Sequence, residues 1–171
     1  LEGISNIQGD FQCINYFYVK EFVMPFIRVA GDMTIALNSG SVNTGAEIEF
    51  PKLQEIGGTL TLGTNRNANN ITFPLLKKIL GSCSVTTYKL KNDIEFTNLE
   101  SIGTDGADEQ IKFEIEATNI LCPKLKTING KFDIATSSFM FDMEVNKVSY
   151  PNVESISENL SITCPYSDFG S

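Results

Sequence analysis

The chain has 171 residues, 42% of them hydrophobic and 12 of them Phe, enough for one domain whose core needs neither disulfides nor metals. Its 21 acids against 13 bases give a net charge of −8, which repels nucleic acid phosphates and anionic lipid surfaces, and no apolar run approaches the ~20 residues that span a bilayer. The lack of His removes the commonest general base and transition-metal ligand, and the lack of Trp removes the strongest sugar-stacking ring.

One phrase recurs along the chain. A half-copy, ISNIQGDFQC (4–13), comes first, and MPFIRVAGDMTI (24–35) follows as a degenerate copy. The clearest copies are FPKLQEIGGTLTL (50–62) and FPLLKKILGSCSV (73–85). A fifth begins FTNLESIG at Phe96, breaks, and resumes near Ile111; CPKLKTINGKFDI (122–134) and YPNVESISENLSI (150–162) complete the series. One column of the alignment reads Ile7, Val29, Ile56, Ile79, Ile102, Ile128 and Ile156, in steps of 22, 27, 23, 23, 26 and 28 residues. The phrase is fixed while something between copies varies in length. Five of the six prolines (Pro25, Pro51, Pro74, Pro123 and Pro151) share a column.

Each copy reads as strand, proline corner, short bridging segment, glycine turn and strand. A strand such as GGTLTL sends Leu60 and Leu62 to one face and Thr61 to the other, so a single copy buries only half of itself. Copies must therefore stack, about 4.8 Å apart, to make a rod of roughly 34 Å whose aligned columns form the core. One expected column is Phe11, Met33, Leu60, Cys83, Phe132 and Leu160; the next is Cys13, Ile35, Leu62, Val85, Ile134 and Ile162. Because every copy runs the same way, the sheets must be parallel, and the fold class is mainly β: a right-handed parallel β-solenoid of about seven coils of 22–28 residues. Charges outside the core pattern agree with this register. Gln54, Lys77, Glu100, Lys126 and Glu154 form one ladder and Arg28, Glu55 and Lys78 another, with signs alternating from coil to coil as surface compensation.

With these residues in place, the sequence resembles the receptor L domain and related leucine-rich-repeat-like solenoids through the phrase FPxLxxIxGxLxI, best kept at 50–62 and 122–134. The resemblance covers nearly the whole chain, and the short coils bring it nearest to bacterial cell-surface, adhesin-like members. It implies a noncatalytic extracellular module that binds a protein or glycan at a cell surface, secreted or anchored through a part outside this chain. Residues 1–171 are then a single β-solenoid domain, a segment of a longer surface protein. The motif letters are core and turn residues, so no ligand residue carries over.

The four cysteines fall on different coils, and two coils of separation is about 10 Å, beyond the ~7 Å Cα limit for a bridge, so all are expected free. Enzymes also occur on β-helices, with a carbohydrate-active enzyme as the alternative to a binding module and a structural spacer as a third reading. The best acidic cluster is GTDGADEQ, where Asp105, Asp108 and Glu109 form a weak calcium candidate; it lacks the twelve-residue ligand ladder of a specific calcium loop and reads as a solvated loop. No metal site, cofactor or catalytic residue is expected.

Binding is expected in the segments that break the phrase, since coils position loops and loops supply specificity. These are residues 36–47, 103–110 and 135–147. The last places Phe139, Met140 and Phe141 together as a contact patch, and Tyr16, Phe17 and Tyr18 form a similar aromatic group near the start. The sequons at Asn70 (NIT) and Asn159 (NLS) lie in or beside expected strands. Terminal coils are expected to leave strand edges open unless capped.

Overall fold

The computed structural model describes residues 3–15, 21–38, 46–65, 68–88, 94–104, 112–116, 119–135, 147–149, 152–157 and 160–163. They contain no helix and form three parallel sheets stacked as a β-solenoid. Sheet A holds Asn6–Ile7, Arg28–Val29, Glu55–Ile56, Lys78–Ile79, Ser101–Ile102, Thr127–Ile128 and Ser155–Ile156. Sheet B holds Phe11–Asn15, Met33–Asn38, Leu60–Asn65, Cys83–Tyr88, Lys112–Glu116, Lys131–Ala135 and Leu160–Thr163. Sheet C holds Glu21–Val23, Ala46–Glu49, Ala68–Thr72, Ile94–Glu95, Asn119–Leu121 and Lys147–Ser149. In every sheet the strand order follows the chain order, so each coil pairs only with the coils before and after it.

The bridging segment of the repeat is itself a sheet. Its two-residue strands pair in one column from Ile7 through Val29, Ile56, Ile79, Ile102 and Ile128 to Ile156. Sheet B pairs Phe11, Met33, Leu60 and Cys83 in one row, and the interrupted fifth copy re-enters that row at Phe113, followed by Phe132 and Leu160. Sheet C aligns Ile48, Ile71, Ile94, Ile120 and Val148.

These rows converge on one core. Leu53, Ile56, Leu60, Leu62, Ile48 and Phe50 of a single coil are all fully buried, and their equivalents Leu76, Ile79, Cys83, Val85, Ile71 and Phe73 in the next coil are buried as completely. The corner explains the proline column. The N–H of Leu53 bonds the carbonyl of Phe50, and Leu76, Leu99 and Leu125 do the same to Phe73, Phe96 and Cys122, a four-residue turn that accepts proline at its second position. The corner phenylalanines stack on one another: Phe50 to Phe73 and Phe73 to Phe96 each have centroids 5.1 Å apart with planes within 3° and 9° of parallel, while Phe11, Phe26 and Phe50 extend the row with tilted rings. Rings this far apart and this parallel are offset, the arrangement that aromatic quadrupoles favour.

Between sheets A and B neighbouring coils leave no room for side chains at the glycines. A Cβ at Gly57 would run into the carbonyl of Ala30 one coil away, and one at Gly58 into the carboxylate of Asp32. That carboxylate accepts the N–H of Thr59 at 2.7 Å, and Asp10 accepts the N–H of Asp32 at 2.9 Å, so side chains continue the ladder where the backbone turns. At the proline corner, Asn98 donates to the carbonyl of Pro74 and Asn152 to that of Pro123, each reaching back one coil. Leu75 occupies the same corner position above Pro51 and is 42% exposed.

Two outcomes follow for denaturant unfolding. Replacement Phe73→Ala should cost about 3–5 kcal/mol, since it removes a ring packed on both sides. Asn98→Ala should cost about 1 kcal/mol and Leu75→Asn should gain a similar amount, because one removes and the other supplies a donor for a corner carbonyl.

Candidate functional site

The chain passes from sheet C to A to B in each coil, and the three kinds of connection differ sharply in tolerance of length. From C to A, the segments 50–54, 73–77, 96–100, 122–126 and 150–154 are all five residues, and 24–27 is four. From A to B they are two or three residues, apart from 103–111. From B to C they run from two residues (66–67, 117–118) through 16–20, 39–45 and 89–93 to eleven (136–146). The cause is the core. Both fixed corners are tied down, one by a buried leucine and its turn bond, the other by glycines with no room for a side chain. The B-to-C connections lie outside the described residues, and their lengths vary from coil to coil.

Two of the three expected binding segments, 36–47 and 135–147, therefore belong to one edge of the solenoid, and the separate aromatic group at Tyr16 and Tyr18 belongs to it too. The connections bearing Tyr16 and Tyr18 and bearing Phe139, Met140 and Phe141 both leave sheet B for sheet C. They follow the first and sixth strands of sheet B, five strand spacings apart, or roughly 24 Å. The two connections thus start from one edge at well-separated heights along the rod. The third segment, with Asp105, Asp108 and Glu109, joins sheet A to sheet B and belongs to a different edge. These eight residues, Tyr16, Tyr18, Asp105, Asp108, Glu109, Phe139, Met140 and Phe141, lie outside the described residues. Among the described residues no group of three or more Cys, Asp or Glu is gathered to hold a metal ion.

Charge is distributed around the rod in a way the linear sequence conceals. Along the chain, basic and acidic stretches alternate. Around the solenoid, Arg28, Lys77, Lys78 and Lys126 lie on or next to sheet A, whereas Glu21, Glu47, Glu49 and Glu95 lie on sheet C. In sheet C, Glu47 pairs in register with Glu21, and Glu49, Thr72 and Glu95 follow one another in a second row. On sheet A the ladder is compensated: Arg28 pairs with Glu55 at 2.8 Å, and Lys78 stands in register on the other side of Glu55. This pair is partly exposed, so its contribution is about 0–1 kcal/mol. The B-to-C edge thus borders the acidic face.

Cys13, Cys83 and Cys122 are free thiols, and Cys164 lies outside the described residues. Cys83 and Cys122 occupy core positions with no exposed surface. Burial pushes both thiols well above their ordinary value of 9.0, with repulsion from a Cys83 thiolate adding to the effect at Cys122, while burial raises Cys13 as well. They act as small apolar side chains, not nucleophiles. The unfolded chain ionises these thiols near pH 9.0 while the folded chain keeps them protonated. Their contribution is complete below that pH and is lost as pH rises above it. Melting temperature should therefore fall above about pH 9 more steeply in the native chain than in a C83A/C122A variant, and a thiol reagent should modify Cys13 well before Cys83 or Cys122.

No family model matches the chain, and neither a curated protein nor a solved structure matches it.

Proposed function

We propose that this chain is a noncatalytic recognition or adhesion module of the receptor L domain type, displayed outside the cell, which binds a protein or glycan through the connections along its B-to-C edge. The observation that carries this is the confinement of length variation: the other two edges are fixed by the core at nearly every coil, while this edge alone changes from two to eleven residues. A scaffold of this kind holds variable segments in a rigid row at intervals of about 4.8 Å, which suits an extended ligand. The carboxylates of sheet C beside that edge disfavour polyanionic ligands, so a neutral glycan or a protein surface with basic groups fits best.

The repeat letters themselves are spent on core, corner and ladder, which is consistent with a phrase that specifies architecture and leaves recognition to the segments between. Surface display accords with the kind of family that the phrase resembles.

Binding to a glycan array and to whole cells should be measured for the chain and for a variant in which 136–146 is replaced by a two-residue connection like 66–67. Binding should drop at least tenfold in the variant, with the circular dichroism spectrum retained. Equal binding by both would remove this connection from the site. Absence of any ligand would favour a spacer. Polysaccharide turnover abolished by D105N, D108N and E109Q would favour an enzyme.

A further inference from the structure

Two buried thiols flank one coil in the middle of the solenoid. In the corner row Phe50, Phe73 and Phe96 stack at 5.1 Å, and the row then passes to Cys122, since the N–H of Phe96 bonds the carbonyl of the adjoining Leu121. In sheet B the row of Met33 and Leu60 passes to Cys83, which pairs in register with Phe113. The coil that carries Phe96 and Phe113 therefore has a cysteine in the core of the coil before it and another in the coil after it. Earlier in the stack those positions hold Met33 and Leu60, or Phe50 and Phe73. The two thiols are near enough that an ionised Cys83 would repel charge at Cys122. The same coil carries the long 103–111 connection between sheets A and B.

A solenoid coil touches only its neighbours, so the stability of the stack is close to a sum over interfaces, and it parts first where an interface is poorest. A cysteine buries less apolar surface than leucine or phenylalanine, and it cannot stack as Phe73 does on Phe96. The leaner interfaces thus fall on both sides of one coil. Neither sulfur has exposed surface in the closed stack, and burial keeps both protonated and inert. Parting the coils returns them to water, where a fraction ionises at about pH 8 and becomes nucleophilic.

We propose that this coil is a thiol-sensitive latch: it opens without unfolding of the remaining coils and is then held open by exchange with a small-molecule disulfide. A thiol of Cys83 or Cys122 loses its proton to water, and the thiolate attacks one sulfur of the small disulfide. The mixed disulfide forms, the S–S bond of the small molecule breaks, and its other half leaves as a thiolate that takes up a proton. One disulfide is lost for each one formed, so no further oxidant is needed. The added group cannot re-enter a closely packed core position, so the coils stay parted until a free thiol reverses the exchange. The latch does not depend on the proposed ligand connections, which leave sheet B for sheet C.

Labelling of the native chain with excess of the aromatic disulfide dithiobis(nitrobenzoate), over a denaturant series that stops short of unfolding, tests this. Peptide mass spectrometry locates the modified cysteines. Cys83 and Cys122 should react at least tenfold faster than the equilibrium population of unfolded chain allows, and with weak dependence on denaturant, because a partial opening exposes little surface. The labelled chain should lose part of its β circular dichroism and regain it when a reductant is added. Cys122→Phe extends the ring stack, and Cys122→Leu serves where that ring does not fit; either should slow labelling of Cys83 at least tenfold. Rates at both cysteines that track global unfolding, a labelled chain with unchanged circular dichroism, or an unaltered Cys83 rate in the folded variants would each overturn the proposal.

Discussion

Everything in this protein depends on in-register pairing between one coil and the next. Backbone groups of a coil bond to the same positions one coil away, so each residue must pack against its own counterparts above and below. That requirement selects side chains that pack well against themselves: phenylalanine at the corner, where rings stack at 5.1 Å, and isoleucine along sheet A. On sheet A it also favours opposite charges in neighbouring coils, and Arg28, Glu55 and Lys78 follow one another in alternating sign.

The same constraint decides where the chain is free to vary. A corner that holds a buried leucine and a turn bond cannot gain a residue without moving Leu53 or Leu76 out of the core. A glycine turn that brings one backbone against the next cannot accept a side chain, as Gly57 and Gly58 show. What remains is the edge where sheet B gives way to sheet C. The fifth copy marks the exception: its long break falls at the glycine turn, yet the strand re-enters the row at Phe113, so the excursion is added without shifting the register.

The stack also accounts for the two kinds of polar group next to the core. Asn98 and Asn152 serve carbonyls at the proline corner, and Asp10 and Asp32 serve N–H groups at the glycine turn. Each replaces a backbone partner at a place where the strand bends away from its neighbour, which keeps the ladder satisfied around the corners. Cys83 and Cys122 stand at positions held elsewhere by Leu60 and Phe96, and their raised thiols follow from that placement.

The columns were legible in the sequence because they repeat a short local pattern: the Ile7 to Ile156 column and the sheet B row through Leu60 could be written down from spacing alone, and with them the parallel solenoid. So could the alternating ladder through Arg28 and Glu55. The bridging segment was legible as a link but not as a sheet, since a two-residue strand has no periodicity of its own and becomes one only by pairing across coils. Likewise the gathering of Glu21, Glu47, Glu49 and Glu95 on one face, and of the 16–20 and 136–146 connections on one edge, depends on contacts between residues more than twenty positions apart. The sequence by itself determined which residues repeat, because a stacked coil must match itself. Only the tertiary structure decided which variable segments share an edge and which charges share a face, because the wrapping of the chain around the core, and not its linear order, sets those neighbours.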